Sequence, residues 1–145
     1  MITTLDEAAT AVFNKINDNA DDIGLNSVDF SAVPKTMRWP SAMVVPGDLD
    51  RRPEASFQQT ELTFTVLIYV LHADMTESRS ARTHTDLKLA ESVTNFLHAD
   101  WTFGGLLAGS WVAQERPVPV PTRRANHVIS TELTWTAKSR GRIGL

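Results

Sequence analysis

Alternation and three-to-four-residue recurrence divide the chain into a small number of elements. In residues 61–71 (ELTFTVLIYVL), Leu62, Phe64, Val66, Ile68 and Val70 fall on one side of an extended backbone. Thr63, Thr65, Leu67, Tyr69 and Leu71 fall on the other. One side is wholly apolar and the second is apolar only in its latter half. The pattern predicts a strand near the middle of a sheet, with the Thr63 and Thr65 end of its second face left for solvent or a neighbouring subunit. Ahead of it, Leu5, Ala8, Ala9, Val12, Phe13 and Ile16 recur at helical spacing and predict an amphipathic first helix. Thr4 and Glu7 have the spacing of a capping box, and the polar run 17–22 stops the helix.

Residues 24–34 read as irregular chain, and Trp39-Pro40 imposes extended backbone. Residues 41–45 (SAMVV) predict a short strand ended by a turn at Pro46-Gly47-Asp48. Residues 48–59 read as a long polar loop or ribbon and a candidate contact segment. After the 61–71 strand and a polar connection comes a second helix over about 80–98, with Leu89, Ala90, Val93, Phe96 and Leu97 as its buried stripe. Gly104-Gly105 and Gly109 interrupt regular structure. Residues 106–113 fit either a short strand or a tight loop with Trp111 buried. Pro117, Pro119 and Pro121 alternate with valines in an extended segment that lacks the donors of a central strand. Residues 127–137 (HVISTELTWTA) alternate again, and 138–145 read as a basic arm without periodicity. The order predicts an α+β domain over 1–137, a mostly antiparallel sheet of about four strands with two helices packed on one face.

Composition narrows the class. A chain of 145 residues with 42% hydrophobic and 21% charged residues suits one globular domain. The absence of cysteine excludes disulfides and thiolate chemistry. No run approaches the roughly 20 apolar residues of a membrane span, and the acidic, interrupted N-terminus is unlike a signal peptide. A soluble intracellular protein is expected. The net charge of −3 hides an asymmetry: residues 1–50 hold eight acids and three bases, and residues 106–145 hold two acids and six bases. Such polarity suits either nucleic-acid binding or stacking of copies on each other. The bases lack interleaved aromatics and any nucleic-acid motif, so sequence-specific nucleic-acid binding is not expected.

Candidate chemistry is sparse. His72, His84, His98 and His127 are scattered, with no i, i+4 pair to hold a metal, and positions at element ends suit structural roles. His84 with Asp86 resembles an oriented base, but no nucleophile elbow accompanies it. Asp21-Asp22 and Asp48 with Asp50 lack a full calcium-ligand set, and Gly104-Gly105 lacks a phosphate-cradle pattern. Trp39, Trp101, Trp111 and Trp135 suit core or interface packing better than stacking on bases or sugars. No catalytic residue, cofactor or metal is expected, and no enzyme.

In layout the chain resembles the tail terminator (tail completion) proteins of long-tailed bacteriophages. The resemblance runs over residues 3–137. It rests on the N-terminal helix, on Asp29-Phe30 and the run Trp39-Pro40-Ser41-Ala42-Met43-Val44-Val45, on the alternating strand 62–70, on the helix ending near Phe96-Leu97 and on the late strand 129–135. The proline run 117–121 and the arm 138–145 depart from the pattern. The resemblance implies a hexameric ring of this chain, located in the virion tail or neck and, during assembly, in the host cytoplasm. Such a ring caps the tail tube protein, ends elongation, docks the head-completion or stopper protein and leaves a passage for DNA. The alternative within the same setting is another head–tail joining protein, a stopper or adaptor, or a tube subunit. Arg51, Arg52, Arg123, Arg124, Arg140 and Arg142 are the expected contact residues.

Overall fold

A computed structural model of the chain describes residues 2–30, 40–53, 59–71, 84–119 and 129–142. The elements in chain order are α1 (Leu5–Asp18), α2 (Ala20–Ile23), β1 (Ser27–Asp29), β2 (Ser41–Pro53), β3 (Gln59–Leu71), α3 (His84–Ala99), β4 (Gly109–Pro119) and β5 (Ile129–Arg142). The strands form one sheet in the order β1-β2-β3-β5-β4, antiparallel except for the parallel β1·β2 pair. Among the described residues the fold is therefore α+β as expected, with a mixed five-stranded sheet and three helices in place of about four strands and two helices.

β3 owes its central place to its residues. Leu62, Phe64, Val66, Ile68 and Val70 are all buried, and strands flank it on both sides. From α1, Ala8, Ala9, Val12 and Ile16 pack on that face, and Val93 and Leu97 of α3 join them. Leu133, Trp135 and Ala137 of β5 complete the core. Burying these apolar side chains is the main favourable term in the fold. At the start of α1 the Thr4 hydroxyl accepts from the Glu7 N–H at 3.1 Å and donates to the Glu7 carboxylate at 2.9 Å.

Four features differ from the sequence expectation, each because pairing partners override local pattern. Gly24, at φ +101°, ends α2 in the left-handed conformation, and its N–H donates to the Ala20 carbonyl. That turn delivers the three-residue β1 beside the start of β2, where Ser27 aligns with Ser41. Pro46-Gly47-Asp48 is not a turn. It is an irregularity inside a 13-residue β2, with the register shifting between Pro46 and Leu49. A Cβ at Gly47 would lie 2.5 Å from the Thr65 carbonyl oxygen, so only glycine lets the two backbones approach here. Residues 109–119 form one strand at the sheet edge, where Pro117 and Pro119 need no outer partner. Trp111 is 40% exposed in it. Finally, β5 continues through Arg142, so Lys138 to Arg142 extend the sheet beside β3.

α3 is tied to the edge strand by His98, whose Nε2 accepts from the Val112 N–H at 2.9 Å beside a register shift between Val112 and Gln114. His98→Ala removes that acceptor. The expected result is faster hydrogen exchange at the Val112 amide and a stability loss of about 1 kcal/mol. Amide exchange followed by NMR checks it.

Candidate assembly surface

With the helices on one face, the second face of the sheet has no helix over it among the described residues. It is buried at one end, where Met43, Leu71 and Ser130 lie, and more open at the other. At the open end Thr65 of β3, Thr136 of β5 and Trp111 of β4 stand in one row across three strands. Trp101 lies beside this row: its ring sits against Gly109, where a Cβ would come within 3.4 Å of it, and it is 55% exposed. The Trp101 carbonyl is fixed by the Ser110 hydroxyl, which donates to it at 2.8 Å. Two exposed tryptophans at one edge are the kind of anchor that interfaces use. Of the other two, Trp135 is a core residue and Trp39 lies outside the described residues.

Along the same face Glu132 is 6% exposed although it carries a charge. Its Oε1 accepts from Arg116 Nε at 2.9 Å, a cross-strand pair set by the register of β4 and β5. Tyr69, opposite Glu132 on β3, also bonds to it. Burial and then the Glu132 carboxylate push the Tyr69 hydroxyl up to about 12. The neutral phenol is therefore favoured in the folded chain. Its stabilisation is complete below the ordinary value of 10 and is lost as pH rises from there toward about 12. The chain has one tyrosine, so its tyrosinate absorbance reports this group alone. The titration is expected to centre near pH 12 in the folded protein, near 10 in denaturant, and lower than wild type in Glu132→Gln.

A second built feature is the turn after α3. Lys15 bonds Asp100 Oδ2 at 2.9 Å and lies over the rings of Phe96 and Phe103, 5.6 and 5.0 Å from their centroids. Hydrogen bonding from Lys15, then from the Gly104 N–H, lowers the Asp100 carboxyl below its usual range. Phe103 adopts φ +49°, uncommon for a bulky residue, and its ring packs at 5.4 Å on Trp135. The turn anchors α1 to the end of α3.

Of the six arginines expected at contacts, four converge. Register places Arg52 opposite Glu61 and Arg51 opposite Leu62; Arg140 is opposite Glu61 from the other side, and Arg142 is opposite Gln59. The ends of β2 and β5 and the start of β3 thus form a three-stranded basic tongue at one end of the sheet. Arg51 and Arg52 are exposed, and Lys138 pairs with Glu61 at 3.4 Å. Arg123 and Arg124 lie outside the described residues, as do His72 and His127. Sequence reasoning singled out the bases but not their juxtaposition, which depends on register. The buried Glu132 carries no signal in the sequence either, because its place opposite Tyr69 also follows from register.

The strand edges are poor templates for pairing. Beyond Ser41–Met43, which pair with β1, β2 is itself the sheet edge, and there it carries Pro46, the register shift, Pro53 and charges at Asp48, Asp50, Arg51 and Arg52. β4 carries its own register shift, two prolines and the His98 cap on Val112. These are the devices by which sheets resist edge-to-edge addition. Contacts through side chains at the tongue and on the open face fit better than strand addition.

The architecture defines a single-sheet α+β class in which helices cover one face and an extended tongue leaves one end. No protein-family model matches the chain, and no curated protein does. Among solved structures it is similar to a chain described as "Virion of native gene transfer agent (GTA) particle", with a TM-score of 0.60 and 15% sequence identity. The likeness covers 92% of this chain and 94% of that one, so the two share their fold over nearly their whole length. Among the described residues no helix is long and apolar enough to cross a membrane.

Proposed function

We propose that this chain is a structural protein of a phage-like virion, and within it the tail terminator. In this role it forms a hexameric ring that caps the tail tube, ends elongation and presents the docking surface for head-completion proteins. The carrying observation is the likeness, over nearly the full length of both chains, to a chain of a gene transfer agent virion. The tail terminator assignment adds the order of elements: an amphipathic α1, the β2–β3 hairpin, α3 and the late strand β5. The role is non-enzymatic and needs no cofactor. It places the chain at the tail–head junction of the particle and in the host cytoplasm during assembly.

Removing the gene from particle-producing cells tests the role. Over-long tails without heads, restored to normal length by the wild-type chain, are the expected result. Cells that make no tubes at all would instead assign the chain to the tube, and normal particles would remove it from the virion.

A further inference from the structure

We propose that the basic tongue of one subunit docks onto the acidic α1–α2 corner of a second copy of this chain. The inference rests on the ring-forming reading above and names its contact. α2 leads through Gly24 and Leu25 to Asn26, whose N–H donates to the Pro40 carbonyl, and so to β1 beside residues 41–43. The tongue lies at the far end of the same β2, at Arg51 to Pro53. Ten residues of strand separate the two, roughly 30 Å at about 3.3 Å per residue.

The α1–α2 corner and the tongue carry opposite charge. Asp18, Asp21 and Asp22 are exposed, and none makes an ion pair among the described residues. The single base of α1 and α2 is Lys15, already engaged by Asp100 and two aromatic rings. In the tongue itself, residues 50–53, 59–62 and 138–142, Arg51, Arg52, Lys138, Arg140 and Arg142 stand against Asp50 and Glu61, and Glu61 is held by Lys138. The two ends of one molecule are too far apart to meet, so complementarity is satisfied between copies. A contact between unlike ends is heterologous and closes into a ring when the rotation between copies allows. Because prolines and register shifts blunt both sheet edges, the contact is made by side-chain charges and weakens with salt.

Sedimentation velocity of the full chain tests this. The wild type is expected to self-associate at low salt and dissociate at high salt. Arg51→Gln/Arg52→Gln and Asp21→Asn/Asp22→Asn are each expected to be monomeric, with circular dichroism melts like the wild type. Mixed, they are expected to form one-to-one pairs and nothing larger, since each keeps one intact end. A chain with Arg51→Asp, Arg52→Asp, Asp21→Arg and Asp22→Arg is expected to regain association. A wild type that stays monomeric at every concentration and salt, variants that associate normally, or a mixture without pairs overturns the contact. Retained self-association with loss of DNA-duplex binding in Arg51→Gln/Arg52→Gln overturns it too and assigns the tongue to nucleic acid. Rings that persist in these variants leave the virion role standing while removing this contact, so the two readings fail separately.

Discussion

Trp135→Ala is expected to cost about 3–5 kcal/mol of folding stability, a large share of what a domain of this size has. Trp135 is fully buried at the middle of β5, with Val66 of β3 on one side and Val112 of β4 on the other. The Phe103 ring packs on it from the turn after α3. Removing the indole takes away the surface on which the positive-φ turn rests, so both the core and that turn loosen. The Nε1–H of Trp135 finds no acceptor among the described residues. Trp135→Phe therefore forfeits volume but no hydrogen bond, and a much smaller loss, about 1–2 kcal/mol, is expected. Urea unfolding midpoints for the two variants check both values. A Trp135→Ala protein within about 1 kcal/mol of the wild type would mean that the core is organised elsewhere.

Gly47→Ala is the second change with a large expected effect, and it links stability to assembly. The added Cβ would sit 2.5 Å from the Thr65 carbonyl oxygen and 3.1 Å from its carbon, both backbone atoms of the central strand. Neither can swing aside as a side-chain end can, so β2 or β3 must shift. Overpacking of this kind costs about 1–3 kcal/mol. The shift falls where β2 changes register on its way to Arg51 and Arg52, so the tongue is re-aimed along with it. The expected outcome is a lowered thermal midpoint together with weaker self-association at a temperature where the chain is still folded. A lowered midpoint with unchanged association would separate the irregularity in β2 from the tongue.

Much of the fold was legible where local pattern and tertiary demand coincide. β3 is read from its alternation, and α1 from its stripe and Thr4 cap, because burial on one face dictates both. The stripe of α3 and the long β2–β3 pairing follow in the same way. Other features were not readable, for identifiable reasons. Pro46-Gly47-Asp48 has the chemistry of a turn, and only the β3 strand beside it makes the same residues an irregularity within a strand. β1 is three residues long and has no period; it is a strand because β2 begins next to it. Lys138 to Arg142 have no apolar pattern, and they are strand because they pair through backbone with Gln59 to Thr63 of β3. The site shows the same division: Arg51, Arg52, Arg140 and Arg142 stood out as charges, and their meeting at one end follows from strand register.

Whether this chain caps the tail tube of a virion is decided by locating it in assembled particles. Particles carrying a labelled copy of the chain, imaged by negative stain, are predicted to show one labelled ring at the head-proximal end of the tail and no label elsewhere. Label repeated along the tube, or particles without label, would rule out a cap on the tail tube.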